Sequence, residues 1–161
     1  MGFAVSGSFA VLAVATFVAF GMVYSSTAFG VELVRHAEHD AQAGQLARQN
    51  TAIELTAANW TGGSGCDSSG SCLLVSADNV GTTSLEVSAT DLLVDGQFVP
   101  ADRYANATVN NDSTTDLWLP GETYHIEVNA STLSAVLGGH LPPKRVKLVT
   151  DHGVSTTQAV A

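Results

Sequence analysis

The sequence predicts a mainly β protein in which an N-terminal transmembrane α-helix and a helical stalk precede an antiparallel β-sandwich. Three observations carry this prediction. No charged residue occurs before Glu32, the apolar pattern changes from helical spacing to alternation after Gln49, and turn dipeptides such as Asp95-Gly96 and Pro120-Gly121 separate the alternating runs. The expected organisation is a helix and stalk over residues 1–49 and an extracytoplasmic sandwich over 50–161.

The first element is the run from Val5 to Tyr24, almost wholly apolar and free of Pro. About twenty residues at a rise of about 1.5 Å match a hydrocarbon core of about 30 Å. Gly21 and Thr16 are tolerated inside it, and Tyr24 stands where an interfacial aromatic belongs. Ser26-Thr27-Ala28 offers the small residues of a signal cleavage site, but no basic segment precedes the apolar run, so a retained anchor is expected. From Val31 to Arg48 helix formers continue the helix outward as a stalk. Val34, Ala37, Ala41 and Gly44 fall on one side of it, a face on which a partner helix can approach closely.

Beyond Gln49, Ile53, Leu55 and Ala57 alternate with polar or small neighbours, as do Leu85 with Val87 and Tyr124, Ile126 and Val128. Further strands are expected at 73–76, 92–94, 97–99, 116–119 and 146–150. Gly138-Gly139 and Pro142-Pro143 break the chain before the last of these. Seven or so short strands over about 110 residues read as a sandwich.

The charge balance, 15 acidic against 6 basic residues, disfavours nucleic acid as a partner. A net charge of -9 suits a protein that stays soluble in concentrated salt, as in a halophile. Cys66 and Cys72 are close enough in a Gly/Ser-rich run to form a small disulfide; two free thiols are the alternative, and two cysteines are too few for a zinc site. Asn59, Asn106, Asn111 and Asn129 each begin an N-x-[ST] sequon, so four of seven asparagines are candidate glycosylation sites and point outside the cytoplasm.

No catalytic, cofactor-binding or metal site is expected. His36 and His39, with Glu32 and Asp40, lie at helical spacings but read as a hydrated helix face, and no Ser or Cys stands in the setting of a nucleophile. Asp91, Asp95, Asp102, Asp112 and Asp116 are scattered over turns without a calcium-loop pattern. Lys144, Arg145 and Lys147 form the one basic cluster, either a patch for a carboxylate-rich partner or a plain polar strand face.

Four stretches carry a resemblance: Met1-Gly2-Phe3-Ala4-Val5-Ser6-Gly7-Ser8 opening the apolar helix, Arg48-Gln49-Asn50-Thr51-Ala52-Ile53, the run from Thr90 to Val99, and Leu117-Trp118-Leu119-Pro120-Gly121-Glu122-Thr123. In these the chain resembles the haloarchaeal members of the FlaF (ArlF) family of archaellum accessory proteins; the strand motifs are shared with the sister protein FlaG and with archaellins. The resemblance implies one membrane helix, an immunoglobulin-like sandwich outside the cell membrane, and a stator role in the archaellum motor complex. It also implies surface-layer protein and a FlaG-like sister as partners; the apolar run itself implies membrane lipid, and a second copy of the domain is a further candidate partner. The cysteine insert and the His-rich stalk depart from the family pattern. An archaellin-like filament subunit is the alternative, disfavoured because Met1-Gly2 lacks the basic residue that prepilin-type cleavage wants, and an unrecognised enzymatic or metal-binding role comes last.

Overall fold

A computed structural model of the chain describes residues 3–62, 66 and 70–161. The opening Met1-Gly2 and the Gly/Ser-rich residues flanking Cys66 lie outside the described residues. Two compact units are formed, Met1–Gly44 and Gln45–Ala161.

Helix α1 (Phe3–Asn50) runs 48 residues and carries the apolar stretch and the stalk as one element. Its apolar side chains, including Phe9, Phe17 and Phe20, are exposed, and the polarity does not segregate to one side. A helix apolar all round needs an apolar medium or partner helices to cover it, and the span Gly7–Asn50 is long and apolar enough to cross a membrane. The Thr16 hydroxyl, in the middle of the apolar run, donates to the carbonyl of Leu12 at 2.8 Å, which satisfies it within the helix.

Among the described residues the second unit holds ten strands, eight of them in the two antiparallel sheets of a sandwich. One sheet has the order β1 (Ile53–Gly62), β2 (Ser71–Asn79), β8 (Thr123–Asn129), β6 (Asn106–Val109). The other has the order β10 (Ser155–Ala159), β9 (Arg145–Val149), β4 (Asp91–Val94), β5 (Gln97–Val99). A short pair, β3 (Leu85–Glu86) with β7 (Leu117–Trp118), lies apart from both. Strand order in the two large sheets reproduces the A-B-E-D and G-F-C arrangement of an immunoglobulin fold, with β5 added beside strand C.

Alternation explains the core: Leu73, Val75 and Ala77 of β2, Tyr124, Ile126 and Val128 of β8, Leu92 and Val94 of β4, and Val146 and Leu148 of β9 are all buried. Trp118 is fully buried, 5.5 Å centroid to centroid from Tyr124, and its indole N–H donates to the Glu122 carbonyl at 2.8 Å. Trp60 is half-buried against the same core.

The structure departs from simple alternation in β1. A register shift between Leu55 and Ala57 turns Ala58, instead of Ala57, into the core. Val87, expected to follow Leu85 in a strand, instead turns the chain, because its N–H donates to Asp116 and its carbonyl accepts from Thr90. Strands β6 and β10 and the short helix α2 (Ala130–Val136) also exceed the expected set.

The last turn of α1 is joined to the sandwich unit by several bonds. Arg48 Nε donates to the His152 carbonyl at 2.7 Å, Thr82 N–H donates to the Asn50 carbonyl at 2.8 Å, and the amides of Val80 and Gly81 both donate to Ala52. At the other end of the chain, Ala161 exchanges hydrogen bonds with Ala58 and Trp60, so the tail after β10 ties the second sheet to β1.

Candidate functional site

The two sheets present different outward faces. On the β10-β9-β4-β5 sheet, inward Val146 and Leu148 force Arg145 and Lys147 outward, and inward Leu92, Val94 and Val99 do the same for Leu93 and Phe98. Register places Lys147 opposite Leu93, and Leu93 opposite Phe98. Phe98 is 53% exposed, a large apolar surface for one strand residue. A cation, a half-buried leucine and an exposed aromatic therefore lie in one row across the sheet.

Asp95 holds one end of this face. With Gly96 it forms the tight β4–β5 turn, both residues at positive φ (49° and 85°), the conformation that makes an Asp-Gly hairpin. Its carboxylate accepts from the amides of Lys144 at 3.1 Å and Arg145 at 2.9 Å, while its own N–H donates to the Arg145 carbonyl at 2.9 Å. The start of β9 is thereby pinned to the hairpin. Alongside lies an open groove of about 640 Å³ lined by His140 and Lys144 together with the apolar Val136, Leu137 and Leu141. Its wall is shaped by the end of α2, where Gly138 and Gly139 adopt positive φ and Gly139 N–H bonds back to the Ser134 carbonyl at 2.8 Å.

On the outward face of the β1-β2-β8-β6 sheet, Ser76 Oγ and His125 Nδ1 are 2.9 Å apart on neighbouring strands. Both belong to a shallow hollow that Asn106, Asn111 and Glu127 also line. Cys66 and Cys72 are disulfide-bonded, with Cα atoms 6.0 Å apart. Their sulfurs and a Glu127 carboxylate oxygen lie within 4.8 Å of one another, the one such group of potential metal ligands among the described residues. The bond between the sulfurs denies a cation the thiolates that would hold it.

The remaining candidate residues are dispersed. Val34, Ala37, Ala41 and Gly44 are exposed on α1, as are His36 and His39. Asn59, Asn106 and Asn111 are exposed, whereas Asn129 is half-buried at the start of α2. The loop carboxylates serve separate turns: Asp112 accepts from the amide and hydroxyl of Thr114, bonds that hold its carboxyl below the usual range, and Asp116 accepts from the amide and hydroxyl of Ser88. Phe98 was not singled out from sequence as a surface residue; its position beside Val99 in a two-sided hairpin strand is the signal that locates it outward.

No protein-family model matches the chain, and no curated protein matches its sequence. Among solved structures, it is similar to a chain of the archaeal flagellum of Methanospirillum hungatei strain JF1, with a TM-score of 0.52 and 16% identity over 95% of this chain and 91% of that one. The fold of helix followed by sandwich is thus shared across nearly the full length of both. The archaellum periplasmic stator protein FlaG from Sulfolobus acidocaldarius also aligns, with a TM-score of 0.41 and 19% identity over 68% of this chain and 98% of that one.

Proposed function

We propose that the chain is a non-enzymatic structural component of the archaellum, held in the cell membrane by α1, with its sandwich outside the cytoplasm acting as a stator that anchors the motor to the surface layer. The observation that supports an archaellum role best is the helix-then-sandwich fold in common with the flagellum chain of M. hungatei over 95% of this chain. The sequence motifs that resemble the FlaF family favour the accessory role within that setting. The exposed apolar side chains of α1 from Phe9 to Tyr24 support the anchor, and a lipid anchor alone is fluid, so a stator needs a second attachment to a rigid lattice.

A filament subunit is the second reading, because the flagellum chain shares both the helix and the sandwich. Fractionation of cells separates the two. A stator remains with the membrane and motor complex after filaments are sheared off, and cross-links to surface-layer protein; recovery of the chain along the sheared filaments would replace the stator reading with the subunit one.

A further inference from the structure

We infer that the outward face of the β10-β9-β4-β5 sheet, around Phe98, Leu93, Arg145 and Lys147, docks a carboxylate-rich segment of a partner protein that also carries apolar side chains. This rests on the proposed connector role and names the surface and the chemistry of its partner.

Charge is the first argument. Of six Lys and Arg in the chain, Arg35 and Arg48 are on α1, and three of the remaining four fall within four residues of one another, Arg145 and Lys147 on this face and Lys144 just ahead of β9. All three are exposed, and among the described residues none takes part in an ion pair. Asp95 stands beside them with its carboxylate on the backbone amides of Lys144 and Arg145 and not on their charged side chains.

Shape and polarity are the second. Phe98 and Leu93 lie in the same row as Lys147, so an apolar strip runs beside the cations on the outward face. An exposed aromatic is a frequent anchor of a protein interface, and cations around it set orientation and encounter rate. A segment suits this better than an extended anionic surface. Within a screening length of about 8–10 Å a segment meets chiefly the local cations, whereas a charged bilayer would face the whole chain's charge of -9.

The test uses the full chain in neutral detergent micelles, titrated with a short synthetic peptide of alternating Glu and Val and followed by backbone amide shifts. Shifts should concentrate at residues 93–98 and 145–147, affinity should fall with added salt, and the R145E/K147E pair should bind about tenfold more weakly or worse. R145Q/K147Q, which removes charge without reversing it, guards against misfolding and should weaken binding less. Shifts centred elsewhere, equal binding of the Lys-for-Glu peptide, or equal binding of anionic lipid vesicles would overturn the inference. In cells, loss of R145E/K147E from the archaellum fraction that retains the wild type supports it. Retention of both overturns the docking face and leaves the archaellum role standing, whereas absence of the wild type overturns that role while the peptide result stands separately.

Discussion

The side-chain amide of Asn79 donates to the backbone carbonyl of Trp118 at 3.0 Å in the buried interior of the sandwich. The same group donates to Thr83 at 2.9 Å, and the side-chain oxygen accepts from Gly81 at 3.1 Å. One asparagine thus ties the end of β2 to β7, to which no ladder connects it. Asn79→Ala would remove these three bonds of a buried side chain and is expected to cost about 3 kcal/mol in thermal or denaturant unfolding.

Gly81 is required where the chain passes close to the end of α1. A Cβ there would lie 2.6 Å from both the Ala52 nitrogen and the Asn50 oxygen. These are backbone atoms that cannot rotate aside. Gly81→Ala should destabilise by about 3 kcal/mol or more, and hydrogen exchange at Val80 and Thr82 should accelerate before that of the β8 core.

Burial sets a pH limit on stability. Burial, with the charge of Asp116 adding to it, pushes the Tyr124 phenol up to about 12, and burial followed by the neighbouring Tyr124 and Asp91 raises Tyr104 as well. The folded form therefore holds these protons more tightly than the unfolded form, whose tyrosines ionise near 10. Their contribution is complete below pH of about 10 and is lost as pH rises through about 12. Denaturant midpoints should fall over that window, with phenolate absorbance from these two residues appearing together with unfolding.

Gln158 is an internal flaw of the fold. It pairs in register with the buried Val146, and its side-chain oxygen is buried without a hydrogen-bond partner. Gln158→Met keeps the length and removes the orphaned acceptor. It is expected to raise stability by about 1 kcal/mol in equilibrium unfolding.

Glycan attachment should follow exposure. Asn59, Asn106 and Asn111 are open to solvent, while Asn129 is half-buried where β8 passes into α2. Peptide mass spectrometry of the native protein is expected to find sugar at one or more of the first three and none at Asn129; occupancy at Asn129 alone would reverse this ordering.

Strands with one apolar side were legible in the sequence, because Tyr124, Ile126 and Val128 can alternate only if one sheet face is buried. Strand β10 was not, since Ser155, Thr156, Thr157 and Gln158 are polar on both faces and the strand forms by pairing with β9. Helix α2 is seven residues with Leu133 as its buried anchor, too short for a helical period to declare itself. The basic residues at 144–147 were visible as a cluster. Their assembly with Phe98 was not, because it depends on β4 lying between β5 and β9, a relation between residues about fifty apart in the chain.

Strand β1 follows α1 directly and is paired with β2 from Ile53 to Gly62. A force applied at Ile53 along the strand acts down the axis of β1, across hydrogen bonds that run perpendicular to it. The ladder is loaded in shear, so its bonds bear the force together, whereas a strand tugged sideways would be peeled one bond at a time. Ala161 adds a clasp at Ala58 and Trp60, toward the far end of that strand. Of the ways to load β1, a pull along its own axis is the one its pairing with β2 resists best.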